Sequence, residues 1–434
     1  MSNRAITSTR LLGYVLICFY TYIFLEGILR KWVLPPSTGT ILYGLKYALL
    51  FIATLIYWLP TRDIKYYNNT IYEIRTYIKA YIILILLSGI IVTGIYNGAV
   101  VSLISISLDL LPIILIYVIP RCLTNDKQID RVISVFIAIS LSIFILGIIQ
   151  YFSPPTDAIN KYAVEMKNDR ALVGDAARIC GVFSYITPMG DFCIASSIIF
   201  ISLLSISKKI ISTSIYGSLF VLSLLVGFMT GSRTVLMLIL LGSLFVFWEF
   251  GLLKRNHTFI ILLCILIFGG IYYYYTYGIT AIDNFLWRAN MANDESMRVS
   301  KLFNFSNLMD YAGFFGYGVG FANLALQSML SYTSELGFEE EIGRIVLEFG
   351  FGGFVLISVI RLMLWLKIIK LAKSIKNKRF NALAWSGVVI ITPMTLYLQL
   401  CLYNWFAYIL YFTVIGFVIA LKQIDFNTYS QKNN

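Results

Sequence analysis

Three arginines stand at the edges of apolar runs, and their chemistry suits phosphate. Arg178 lies in RICGVFSYITP ahead of one run, Arg233 lies in TGSRT at the start of another, and Arg344 lies near the start of a third. A guanidinium keeps its charge and presents a planar fork of donors that matches phosphate oxygens. Gathered at one membrane surface, the three would hold a diphosphate at headgroup depth. The alternative for any single one is an arginine that snorkels or pairs with a carboxylate.

The stretch GFEEEIGRIVLEFGFGGF at 337–354 adds carboxylates beside one of these arginines. On a helix, Glu340, Arg344 and Glu348 fall at i, i+4 and i+8 and share one face, which must turn toward the bundle interior or a wet cavity. One interpretation is an ion-pair ladder that fixes the helix. The other is catalytic: the ladder orients Arg344, and Glu339 or Glu340 serves as a general base, because a partly desolvated carboxylate is suited to proton transfer near neutral pH.

A long polar loop before this stretch carries candidate sugar contacts, in which aromatic faces stack on rings and polar groups bind hydroxyls. These residues are Trp287, Arg288, Arg298 and Tyr311. The Gly-rich segment GFFGYGVGFAN follows at 313–323. No strand precedes it, so a flexible turn that lines a cavity is favoured over a dinucleotide site.

Other residue types exclude several chemistries. The only histidine, His257, follows Lys254 and Arg255 on the predicted cytoplasmic side, so a His-based triad or metal site cannot form on the opposite face. The six cysteines form no C-x-x-C pair, and neither a disulfide framework nor a zinc site is predicted. No metal and no cofactor is therefore expected.

Glu26 and Asp109 are the main acidic residues within the apolar runs, where a charge costs about 2.5–3.5 kcal/mol on insertion scales. Glu26 precedes Arg30 by four residues, which predicts an ion pair at a helix end. Asp109 has no partner nearby in the sequence. It is interpreted either as a buried hydrogen-bonding group or as a functional one.

The elements that must position these residues are membrane helices. The chain has 434 residues, of which 59% are hydrophobic and 13% charged, and apolar runs of about 20 residues recur. This pattern predicts an all-α polytopic bundle of about twelve transmembrane helices in one integral membrane domain, 1–434. The predicted spans are 11–29, 40–59, 79–96, 98–119, 132–151, 189–207, 211–229, 234–250, 258–277, 342–364, 383–401 and 404–421.

The positions of Lys and Arg predict the orientation. They concentrate in the connections on the side of the N-terminus, including KIIKLAKSIKNKR at 367–379, so both termini are predicted to be cytoplasmic. The two long loops, 152–188 and 278–341, are then extracytoplasmic. The net charge of +12 is accordingly assigned to topology and to anionic headgroups of the lipid bilayer, and no nucleic-acid partner is expected.

Four segments together resemble the O-antigen polymerase/ligase superfamily of bacterial polysaccharide assembly, over roughly 178–354. They are RICGVFSYITP, TGSRTVLMLILL, FFGYGVGFAN and EEEIGRIVLEFGFGG. The resemblance implies a GT-C-like, membrane-embedded glycosyltransferase of the bacterial inner membrane. Its donor would be an undecaprenyl-diphosphate-linked oligosaccharide whose diphosphate is held by Arg178 and Arg233, and a chain-length regulator is a further implied partner. Ligases of this superfamily have an activating histidine about nine residues before the position of Glu348, whereas this chain has Glu339 there.

The sequence therefore predicts a polymerase that joins lipid-linked repeat units of O-antigen, capsule or exopolysaccharide at the extracytoplasmic face. One alternative is a ligase that transfers finished glycan to another acceptor. A second, of a different class, is a transporter or flippase for a lipid-linked sugar, which is expected to place charges or broken helices near the midplane.

Overall fold

The computed structural model describes residues 2–35, 38–59, 65–163, 172–173, 176–250, 312–323, 326 and 341–433. In these ranges the regular secondary structure is helical apart from one antiparallel pair of two-residue strands, β1 (Leu172–Val173) and β2 (Ala176–Ala177), within the first long loop. The predicted all-α class is confirmed for this part of the chain.

The helices are numbered here in chain order. They are α1 (Ser2–Ile28), α2 (Gly39–Tyr57), α3 (Lys65–Leu87), α4 (Gly94–Leu110), α5 (Leu115–Cys122), α6 (Asp126–Phe152), α7 (Ile186–Ile206), α8 (Ile210–Met229), α9 (Arg233–Phe250), α10 (Glu341–Lys373), α11 (Lys378–Thr395) and α12 (Trp405–Asn433). Short π-helical turns extend α1 at Leu29–Val33 and α3 at Ser88–Thr93.

Within the described ranges, seven helical stretches are long and apolar enough to cross a membrane, which makes the chain a membrane helical bundle. They are Ser8–Val33, Ile74–Cys122, Asp126–Phe152, Ile186–Ile206, Ile210–Met229, Arg233–Phe250 and Trp405–Thr428. The total of twelve spans and the GT-C-like arrangement stay predictions. The predicted span 258–277 lies outside the described residues.

Helix α7 is the central element of the bundle. Nearly all of its side chains are buried, and α8, α9 and α11 pack around it. Small residues allow this close packing: a Cβ on Gly190 would lie 2.6 Å from the side chain of Val235 in α9. Large apolar side chains such as Leu244 and Trp248 remain exposed on the outer face of α9, as expected for a surface in contact with lipid.

Helix α10 is broken at Gly350, which adopts φ +67° and ψ −176°, a conformation open almost only to glycine. Glu341 and Arg361 nevertheless form an ion pair at 2.8 Å. A straight helix would separate residues twenty positions apart by about 30 Å. The two parts, α10a (341–349) and α10b (351–373), must therefore fold back on each other, and the predicted span 342–364 is not one continuous helix.

The Gly-rich segment 312–323 fills this break. Its amides at Tyr317 and Gly318 donate to the carbonyls of Leu347 and Glu348, at 2.7 and 2.9 Å. In return, its carbonyls accept hydrogen bonds from the first two amides of α10b. The segment was predicted to be a flexible cavity-lining turn. In the structure it replaces the helical hydrogen bonds that the break removes, as buried backbone requires in a membrane.

The turn 396–404, between α11 and α12, lies below the start of α10b at 351. Trp365 contacts Thr392 and Ser358 contacts Tyr397, so α10b and α11 run antiparallel. Seven residues of α10b, 351–357, precede Ser358 and extend past the turn, a rise of about 10 Å. The turn 396–404 is therefore recessed beside α10, and α10a stands next to it.

Two sequence predictions about earlier helices hold. Spans 79–96 and 98–119 were predicted to meet near 97, and Gly98 breaks the helix there with φ +81°. The predicted pair of Glu26 with Arg30 is confirmed at 3.2 Å. Buried Lys46 joins it at 2.9 Å from the second Glu26 oxygen.

Candidate functional site

Arg178 reaches the turn that precedes Arg233. Its side chain is half-buried, and its Nε donates a hydrogen bond to the main-chain oxygen of Thr230 at 2.9 Å. Thr230 follows the last residue of α8 and stands three residues before Arg233, with which α9 begins. Tyr162 holds Arg178 from another side, because its hydroxyl donates to the Arg178 carbonyl at 2.8 Å. The structure thus brings Arg178 to the start of α9, although two whole helices separate them in the sequence.

The turn between α8 and α9 presents the N-terminus of α9. The hydroxyl of Thr230 donates to the Gly227 carbonyl at 2.7 Å and accepts the amide of Ser232 at 3.3 Å. Gly231 has φ +65°, which lets the chain reverse within three residues. The first amides of a helix lack intrahelical partners and carry partial positive charge. We name Arg178 together with 230–233 the arginine corner. Its charges and dipole favour an anion.

The segment after Arg178 is fixed by two buried polar side chains. Lys31, in the π-helical turn after α1, donates to the Gly181 carbonyl and lies 3.4 Å from the sulfur of Cys180. Gln150 accepts the Gly181 amide at 2.7 Å and donates to its carbonyl at 3.2 Å. Burial raises the pKa of the Cys180 thiol, and the Lys31 ammonium acts in the opposite direction. The backbone that carries Arg178 is therefore held by α1 and α6.

Asp191 connects the start of α7 to the recessed turn. Its two carboxylate oxygens accept hydrogen bonds from the side-chain amides of Gln399 and Asn404, both in the turn 396–404. All three side chains are buried. Because α7 follows directly from the Arg178 segment, these bonds set the recessed turn at the same end of the bundle as the arginine corner.

Glu341 and Arg344 lie on the other side of this turn. The carboxylate of Glu341 accepts the amides of Cys401 and Leu402, at 2.8 and 3.0 Å, in addition to its ion pair with Arg361. The Arg344 guanidinium lies 5.5 Å from the ring centre of Tyr403, within the range of a cation–π contact. Arg344 is therefore at the same end of the bundle as Arg178 and Arg233. The recessed turn contacts Arg344 through Tyr403 and contacts the start of α7 through Gln399 and Asn404.

The charges of three buried carboxylates act on Tyr403. Burial raises the pKa of the Tyr403 hydroxyl well above its usual range, and the charges of Glu348, Glu341 and Asp109 raise it further. Glu348 accepts the amide of Ala322, from the Gly-rich segment, at 2.8 Å. The Tyr403 hydroxyl, in the recessed turn beside Arg344, therefore stays protonated and can donate a hydrogen bond.

Of the predicted polar stripe, Arg344 and Glu348 lie among the described residues, both in α10a, and their pairing stays a prediction. The candidate base residues Glu339 and Glu340 lie outside the described residues. So do the candidate sugar contacts, which are Trp287, Arg288, Arg298 and Tyr311.

Sequence reasoning missed the residues that join these pieces. Asp191, Glu341, Arg361 and Lys31 are each polar residues in or beside an apolar run, and their partners are distant in the sequence. The available signal was their isolation among apolar neighbours, since an ionisable residue in such a place needs a partner. No group of His, Cys, Asp and Glu that could hold a metal ion occurs among the described residues.

Comparisons with known proteins add no family. No family model and no curated protein matches this chain.

Proposed function

We propose that the protein is a polysaccharide polymerase that joins undecaprenyl-diphosphate-linked repeat units at the extracytoplasmic face of the bacterial inner membrane. The observation that carries the proposal is the arginine corner, where the Arg178 guanidinium bonds to the turn from which Arg233 and the N-terminus of α9 emerge. Two guanidinium groups and a helix N-terminus at a membrane surface suit a lipid diphosphate better than a neutral sugar.

In the proposed reaction, an acceptor sugar hydroxyl attacks the anomeric carbon of the donor glycan. The new glycosidic bond forms as the bond to the diphosphate breaks, and the negative charge that develops there is stabilised by Arg178 and Arg233. Glu339 or Glu340 takes the hydroxyl proton. Arg344 lies across the recessed turn and is oriented beside Tyr403, so we assign it to the acceptor side. Trp287, Arg288, Arg298 and Tyr311 are proposed to bind glycan, and no cofactor is required.

Replacement of Arg233 by Ala tests the proposal. In cells that supply the lipid-linked repeat unit, loss of one such electrostatic group is expected to lower the rate of polymer formation about 100–1000-fold. Arg233→Lys, which keeps the charge but loses the fork, should retain part of the activity. The matched control is Arg379→Ala, because Arg379 pairs with Asp130 where α6 and α11 begin, away from the arginine corner.

Polymer is resolved by length on a gel, and membrane insertion is measured on the same samples. Full-length polymer from Arg233→Ala at normal protein levels would refute the proposed role of the arginine corner. Transfer of one finished glycan to a different acceptor, without elongation, would identify a ligase.

The structure favours one further candidate, a transporter for a lipid-linked sugar. The helix breaks at Gly98 and Gly350 and the buried carboxylate of Asp109 are features typical of transporters. Proteoliposomes separate the two functions. Movement of lipid-linked sugar between leaflets without a new glycosidic bond identifies the transporter, and glycosidic bond formation by the purified protein identifies the polymerase.

A further inference from the structure

Two tyrosines lie beside the arginine corner, and the proposed reaction gives their rings no role. Tyr162 belongs to the first long loop, and Tyr185 stands one residue before α7 begins. Their ring centres are 5.6 Å apart and their planes are inclined by 68°, which is an edge-to-face arrangement. Both residues are half-buried, so the pair is not sealed inside the bundle. The pair is therefore an aromatic surface within reach of a ligand, at the end of the bundle where Arg178 lies.

Hydrogen bonds fix this aromatic pair to the backbone that carries Arg178. The Tyr162 hydroxyl donates to the Arg178 carbonyl at 2.8 Å, and the Ala163 amide donates to the Ser184 carbonyl at 3.1 Å. The first bond joins one ring to the arginine corner, and the second holds the two segments that carry the tyrosines side by side. The Arg178 guanidinium is itself held by the Thr230 carbonyl. Rings and guanidinium are thus placed relative to each other before a ligand binds, which lowers the entropic cost of binding.

The chemistry of the pair fits a sugar ring better than a second anion. A pyranose face presents C–H groups with partial positive charge, and an aromatic face is negative, so the two stack. A tyrosine also has a hydroxyl that can bond to a sugar hydroxyl. In an edge-to-face pair, each ring keeps at least one face that its partner does not cover. A phosphate would be repelled by the negative ring faces, so the pair is not an extension of the anion site.

We propose that Tyr162 and Tyr185 form the subsite for the sugar bonded directly to the diphosphate of the donor lipid. This inference rests on the proposed function, because the arginine corner must hold the diphosphate for the adjoining sugar to reach the tyrosines. The two subsites adjoin each other as the two groups of the ligand do, since Tyr162 is one hydrogen bond from Arg178. Tyr185 supplies a ring for stacking. Tyr162 supplies a second ring and also positions Arg178.

Binding of two lipids by the full-length protein in nanodiscs tests the subsite. The probes are the lipid-linked repeat unit, isolated from cells that supply it, and bare undecaprenyl diphosphate, which carries no sugar. Tyr185→Leu removes the ring, so it should weaken binding of the repeat unit about three- to tenfold and leave binding of the bare carrier unchanged. Tyr185→Phe keeps the ring and should retain most of the affinity. The matched control, Tyr14→Leu, replaces an exposed tyrosine of α1 and should change neither affinity.

Tyr162→Phe separates stacking from positioning. It keeps the ring but loses the bond to the Arg178 carbonyl, so it should weaken binding of both lipids by a similar factor. If Tyr185→Leu also weakened both lipids equally, or weakened neither, the sugar subsite would be refuted.

Hydroxyl-radical footprinting of the native protein needs no variant. The repeat unit should protect Tyr185 from oxidation more than bare undecaprenyl diphosphate does, and equal labelling with the two lipids would overturn the proposal. Failure of the proposed function gives a different result. In that case the native protein binds neither lipid, or Arg233→Ala binds both as tightly as the native protein does, and the sugar subsite falls with the arginine corner.

Discussion

The ion pair between Glu341 and Arg361 gives the sharpest test of the fold, because it exists only if α10 folds back at Gly350. Both side chains are almost fully buried, and their charged atoms lie 2.8 Å apart. In a straight α10 they would lie about 30 Å apart and would not interact. A double-mutant cycle with Glu341→Gln and Arg361→Met therefore measures a coupling free energy that the broken helix predicts and the straight helix excludes.

The size of the coupling follows from burial. Removal of one partner of a buried ion pair costs about 3–5 kcal/mol, because the other charge is left uncompensated. Among the described residues, Arg361→Met also leaves Glu341 with hydrogen bonds from two main-chain amides, those of Cys401 and Leu402. Replacement of both residues removes both charges, so the double variant should recover a large part of the loss. We expect a coupling free energy of about 2–3 kcal/mol.

The free energy of unfolding can be measured in mixed micelles with increasing fractions of a denaturing detergent. The control cycle uses Asp130→Asn and Arg379→Met, an ion pair between distant residues whose side chains are 56% and 35% exposed. This pair should couple by less than about 1 kcal/mol. Additive effects at Glu341 and Arg361, within the error set by the control cycle, would show that the two parts of α10 are not in contact and would refute the fold-back.

Two further predictions concern single positions. Gly350→Ala should destabilise the protein by about 1–3 kcal/mol or more, since the backbone conformation is strained for alanine and the added Cβ would meet the Phe314 carbonyl. The control is Gly13→Ala, where nothing lies near the added atom. Equal melting temperatures of the two variants would contradict the role of the break. In a variant that retains only Cys180, alkylation should be slow at neutral pH and accelerate only at alkaline pH, because a raised pKa keeps the thiol protonated and the thiolate is the reactive form. Lys31→Met removes the opposing cation and should slow alkylation further, and faster alkylation in that variant would contradict the charge interaction.

The helical class and several boundaries were predictable from the sequence because they depend on local properties. Apolar runs of membrane length predicted helices where α6, α7, α8 and α9 are found, since an apolar segment in lipid must satisfy its own backbone. The break at Gly98 was predictable because two spans of normal length do not fit a single helix. The pair of Glu26 with Arg30 follows from helical spacing alone.

The fold-back at Gly350 was not predicted, although FGFGG marks the position. Hydrophobic periodicity carries no information about whether a helix continues through a glycine. The deciding contacts, between α10a and the Gly-rich segment, are tertiary. For the same reason the pairing of Glu341 with Arg361 was not predicted. Because both are arginines at the edges of apolar runs, Arg178 was expected to lie near Arg233 at the start of α9. The hydrogen bond from Arg178 to the Thr230 carbonyl could not be predicted from the sequence.

The connection between α8 and α9 is too short to absorb an added residue without a change in structure. Only Thr230, Gly231 and Ser232 join the two helices. One added residue must either bulge the turn away from Arg178 or rotate α9 by about 100° about its axis, which would carry Arg233 to another face. The length of this connection is therefore constrained. Epitope tags and other insertions should be placed elsewhere in the chain.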